Sequence, residues 1–130
     1  MRTGAAAAFL LLLPVPATRA ETPAAPDWAM LAECSAVFGA VSRADGYAGA
    51  DPASLAQSAA VAQAFHARAI TLAGESGQPE PEQDVASIIG YLDERWDKRI
   101  GAITSTASNL DWISYCTELG HAYGVLPLPG

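Results

Sequence analysis

The chain has 130 residues, 14 acidic against seven basic, a formal net charge of −7, and two cysteines. That length suits a single domain. The acid excess repels phosphate backbones and anionic lipid heads, which argues against nucleic acid and peripheral membrane surfaces as partners. Alanine is abundant and β-branched residues are modest in number, a balance that favours helices over sheet.

Residues 1–20 read as a secretory signal peptide. Met1-Arg2-Thr3 is a short basic start, Ala5 to Leu13 is a compact apolar run, Pro14 and Pro16 break it, and Ala20 is the small residue before the cleavage point. The run falls short of the ~20 apolar residues a membrane-spanning helix needs. Cleavage after Ala20 removes Arg2 and Arg19. Five basic residues then face 14 acidic ones, a formal charge of −9. The predicted location is the periplasm or the exterior, with no membrane attachment once the leader is gone.

Residues 21–26 form a lead-in, expected to be mobile, to a helical domain over 27–124. Asp27 is the predicted N-cap of the first helix, whose stripe is Met30, Leu31, Cys34, Val37, Phe38 and Val41. Asp45-Gly46 stops it. Asp51-Pro52 opens the second helix with a capping carboxylate and a proline at the first helical position. Leu55, Ser58, Ala62, Phe65, Ala69 and Leu72 form its inward stripe, and Gly74 is the predicted left-handed terminator. The polar stretch 75–83 links to a third helix with Val85, Ile88, Ile89, Leu92, Trp96, Ile100 and Ile103 on one face. Thr104 to Asn109 breaks this helix and supplies a cap for the fourth, whose stripe is Trp112, Ile113, Cys116, Leu119, Gly120 and Tyr123. Residues 125–130 are an apolar, extended tail expected to fold back on the bundle end.

Four amphipathic helices with short connections predict an all-α fold, a single antiparallel up-down-up-down four-helix bundle. In that topology the first and last helices are adjacent, and Cys34 and Cys116 both fall near mid-height. An exported protein with an even cysteine count should join them in a disulfide.

Few constellations carry chemistry. Glu118-x-x-His121 is half of a di-iron bundle motif. Its other half is missing and both residues point off the seam, so a solvated face and no metal site is the reading. His66 has Ser58 two turns away on the same helix, too far for a nucleophile and base, and no catalytic set can be assembled; a non-enzyme is expected. Met30 and His121 come to similar height if Cys34 meets Cys116. The pair resembles the ligand arrangement of the b-type four-helix cytochromes, in which a methionine of the first helix and a histidine of the last bind haem. The resemblance is confined to export, length, topology and those two residue types, and implies Met30 and His121 as haem ligands. Read by position alone, Met30 is a core residue and His121 a boundary one, with no cofactor. Arg99 falls on the seam of the third helix. Its stem should lie on the core with the head in water, the alternative being an ion pair or a stack on a tryptophan.

Tyr47 in a glycine-rich loop, with Asp45 and Asp51 beside it, is the expected partner surface. The function expected is that of a small exported acidic helical protein that binds another macromolecule, a basic protein, in the manner of an inhibitor or immunity protein. A haem- or metal-carrying bundle and a structural domain without ligand are the alternatives.

Overall fold

The computed structural model describes residues 25–44, 51–102 and 107–129. They form four helices, α1 (Asp27–Arg43), α2 (Pro52–Glu75), α3 (Pro81–Ala102) and α4 (Ala107–Ala122), with no strand among the described residues. None of these helices is long and apolar enough to cross a membrane.

α1 is the hub and packs against each of the other three. Helical spacing predicts one buried face. Instead Trp28, Leu31, Ala32, Cys34, Ser35, Ala36, Val37, Gly39 and Ala40 are buried, which covers most of the helix circumference. A helix buried all round belongs at the centre of its domain. Met30, Phe38 and Val41, predicted for the core, are half-buried. Alanine, glycine and serine carry little pattern signal, yet they let neighbouring backbones come close, and Ser35 Oγ donates to the Ala62 carbonyl of α2 at 2.8 Å.

The cysteines meet as expected. Cys34 and Cys116 are fully buried and paired at disulfide distance, their Cα atoms 5.5 Å apart across 82 residues of sequence. That Cα separation lies in the normal disulfide range.

Two terminators differ from expectation. Asp27 is the first residue of α1 rather than its cap: Pro26 holds the cap position, and the Asp27 carboxylate accepts from the Tyr123 hydroxyl at the far end of the chain. α2 runs past Gly74 to Glu75, and the left-handed glycine is Gly77 at φ 92°, with Gln78 N–H donating to the Ala73 carbonyl at 3.0 Å. This is the paired closure of a Schellman end, which requires its glycine just past the last helical turn. The start of α2 matches: the Asp51 carboxylate accepts from the Ser54 amide at 2.7 Å and Pro52 follows. That bond favours the charged carboxylate and lowers its pKa below the ordinary 3.8. Leu55 and Ser58 are only half-buried, and burial on α2 begins at Val61. The reason is length. α2 has 24 residues and α1 has 17, so α2 outruns its partner by about 10 Å at ~1.5 Å per residue.

On α3, Val85, Leu92, Trp96 and Ile100 are buried, while Ile88 and Ile89 pack at the core margin. Ile103 and residues 104–106 of the expected break lie outside the described residues, and 107–109, expected to belong to that break, already form the first turn of α4. Arg43 at the end of α1 ties α1 to α3, its guanidinium 2.9 Å from Asp97 and 3.4 Å from Asp93.

The tail folds back as expected. Gly124 at φ 73° closes α4, and the Val125 and Leu126 amides both donate to the Gly120 carbonyl. Val125 is buried, and Leu126 and Leu128 pack on the core. Arg68 of α2 donates to the Tyr123 carbonyl at 3.1 Å, which satisfies an end carbonyl of α4. Gly120 sits beneath this closure. A Cβ there would stand 2.8 Å from Leu126 Cδ1 and 3.0 Å from Cζ of the fully buried Phe65.

Gly120→Ala should therefore lower the unfolding free energy by about 1–3 kcal/mol in urea denaturation, the usual cost of overpacking. The Tyr123 phenol, donating to Asp27 and then partly desolvated, is held above its ordinary 10.0. A raised pKa contributes stability that is fully present below the ordinary phenol range and lost as pH rises through the raised value. Tyr123 should ionise above the ordinary phenol range in an alkaline ultraviolet titration, and Asp27→Asn should bring its midpoint back toward that range.

Candidate functional site

Between α1 and α4 lies an open groove of about 390 Å³ lined by Met30, Asp111, Trp112 and Tyr115. Asp111, Trp112 and Tyr115 fall within about one turn of α4, where spacings of three and four share a face. Met30 faces them from α1, one turn before the Cys34–Cys116 link that holds the two helices together.

The groove wall continues into α3 as a ladder of rings. Tyr115 meets Trp112 edge-to-face with centroids 5.7 Å apart, and Trp112 meets Trp96 in the same way at 5.2 Å. The Arg99 guanidinium carbon lies 4.7 Å from the centre of the Trp96 ring. Trp96 is fully buried and its indole N–H donates to Glu33 of α1 at 3.0 Å, so its polar edge is satisfied and its ring position set. Edge-to-face geometry suits aromatic quadrupoles, and a guanidinium over a tryptophan face is attracted by the same charge distribution. Arg99 thus stacks on a tryptophan, and simple snorkelling does not describe it: the head sits on the ring.

The sequence-derived sites are scattered. Asp45 and Tyr47 lie outside the described residues. Asp51 is exposed and serves as the cap of α2. Met30 lines the groove, whereas His121 is exposed and lies outside its lining, so the two are not brought together there. Glu118 is exposed like His121, on a solvated face as expected. His66 and Ser58 are half-buried on α2. Among the described residues no three His, Cys, Asp or Glu side chains cluster as a metal site would need.

Helical spacing alone does not point to the groove. It puts Trp112 in the core, where the structure leaves it half-buried, and Tyr115 at a seam edge, where it is 39% exposed. The available signal is Asp111-Trp112-x-x-Tyr115, an acid and two aromatic rings within about one helical turn.

No protein-family model, curated protein or solved structure matches the chain.

A double-mutant cycle of Trp112→Leu and Tyr115→Leu, read by urea denaturation, should give a coupling of about 0.5–1.5 kcal/mol, the range of edge-to-face pairs. In the same assay Arg99→Met should cost about 0.5–1 kcal/mol, as befits a ring contact that solvent partly reaches.

Proposed function

We propose that this chain is an exported, non-catalytic binding protein that receives an apolar side chain of a basic protein partner in the α1–α4 groove. The observation that carries this reading is the groove of Met30, Trp112 and Tyr115 with Asp111 at its rim. Aromatic rings in a partly desolvated hollow are the usual anchors of protein interfaces. A carboxylate at the rim of a chain with net charge −7 selects a cationic neighbour and steers it in. The type is that of a small inhibitor or immunity protein that blocks a basic toxin or hydrolase.

Export rests on the leader pattern of residues 1–20 and on the cysteine pair, since disulfides persist outside the cytosol. The topology proposed with it is up-down-up-down. Asp27 meets Tyr123 and Cys34 meets Cys116, so numbering falls along α4 as it rises along α1. The short turn 76–80 between α2 and α3 supports the same reading.

A photoreactive side chain at position 115, introduced in the native host, should trap one basic protein. Asp111→Lys should abolish that adduct, while the same label at the exposed Gln63 of α2 should not form it. Equal adducts from positions 115 and 63 would remove the groove as the contact.

A further inference from the structure

Five basic residues remain once the predicted leader is set aside, and three of them, Arg95, Lys98 and Arg99, fall within five positions of α3. Arg99 is occupied with Trp96. Arg95 and Lys98 are exposed and line a surface hollow with Tyr91, Glu94 and Arg99. At its other end α3 carries Asp84, half-buried, on the same side as Tyr91, because an interval of seven residues is near two whole turns. The outward face of α3 therefore reads acid, ring, base along its length. Asp93 and Asp97 are not part of it, since both are drawn toward Arg43 of α1.

The spacing along this face is symmetric. Asp84 lies seven residues before Tyr91 and Lys98 seven after it; Ser87 lies four before and Arg95 four after. Tyr91 is 70% exposed, the most exposed large hydrophobic residue among those described. Beside it Gly90 leaves open space where a Cβ would stand, and a glycine in the middle of an exposed helix costs helix stability with no return within the chain.

We propose that the outward face of α3 is a self-association surface on which two copies of this chain pair antiparallel about a two-fold axis at Tyr91. The two tyrosines then pack over the gap left by Gly90, with helix axes at the usual ~8–10 Å. Asp84 of each copy meets Lys98 of the other, and Ser87 meets Arg95. The contact is isologous, the same patch on both copies, as closed dimers require. Helix dipoles alone account for acids early and bases late in a helix; they do not place those charges on one face at equal distances from an exposed ring. Lys98 is already 3.1 Å from Glu94 of its own helix, and in the pair it lies between that carboxylate and Asp84 of the second copy.

The test is sedimentation equilibrium of the mature chain with its cysteines oxidised, over a range of protein and salt concentrations. The expected result is a monomer–dimer equilibrium that weakens with salt. Asp84→Lys alone and Lys98→Asp alone each create two like-charge contacts per dimer and should weaken pairing by roughly tenfold or more. Mixing these two variants should restore it. In the mixed pair the lysine placed at position 84 of one copy meets the aspartate placed at position 98 of the other, and the second contact joins the native Asp84 and Lys98. Tyr91→Cys should crosslink to itself on oxidation, and Gln63→Cys should not. A wild-type chain that stays monomeric at the highest concentration overturns the proposal. So do single variants that pair as tightly as the wild type, or a mixture no tighter than its components.

Discussion

α1 can be surrounded by three other helices only because much of its surface is alanine, glycine, serine and cysteine. Each neighbour approaches over a small side chain, and Ala32, Ala36 and Ala40 lie at spacings of four along one row of that surface. The Ser35 hydroxyl is the one buried polar side chain there, and it is satisfied by a backbone carbonyl of α2. A buried hydroxyl without such a partner would be costly. The bulk that fills the core comes from Trp28, Leu31 and Val37 of α1 itself together with Phe65, Val85, Leu92 and Trp96 of the surrounding helices. Enlarging α1 would push all three neighbours away at once, so this helix sets the spacing of the domain.

α4 depends on discrete ties more than on bulk. Among its described side chains the buried positions are Cys116 and Gly120, and neither fills much volume. The Cys34–Cys116 pair fixes it to α1 at one level. The Tyr123–Asp27 bond holds it about two turns further along, and Arg68 of α2 reaches the Tyr123 carbonyl just past its end. A covalent closure of 82 residues removes about 4–5 kcal/mol of unfolded-chain entropy in the loop-closure account. Trp112, Ile113 and Leu119 of α4 pack against the core only half-buried, so that contribution matters. The tail adds Val125 and Leu126 over Gly120, which converts a gap left by a missing side chain into packed surface.

The large-residue stripes were legible in the sequence. Val85, Leu92, Trp96 and Ile100 of α3, Phe65 and Ala69 of α2, and the pairing of Cys34 with Cys116 all follow from helical spacing and an even cysteine count. The centrality of α1 was not legible, because a pattern of large apolar residues reads alanine faces as neutral and so assigns one buried side to a helix that has several. Asp27 misleads for a related reason. A carboxylate at a helix start is usually a cap, yet its partner here is 96 residues away in Tyr123, and local sequence carries no trace of that contact. The groove is hidden by the opposite error: tryptophan usually belongs to the core, whereas the ladder to Trp96 leaves the far edge of Trp112 open beside Tyr115.

Arg99 marks where the two proposed surfaces meet. Its head lies on the Trp96 ring, at the end of the ladder that runs to the groove, and it also lines the surface hollow of Arg95 and Lys98, which are exposed on the same helix. One short basic run thus splits between an apolar duty and an electrostatic one. Ionic strength separates them. A ring seated in the groove of Met30, Trp112 and Tyr115 relies on burial, which salt leaves largely intact. A pair of α3 faces held by exposed charges loses much of its attraction once the Debye length falls to a few ångströms. If both contacts operate, raising salt should release the second copy first and leave the apolar anchor in place. The carboxylate at position 111 is screened in the same way, so at high salt the selection of a cationic neighbour weakens and the rings supply most of the remaining hold.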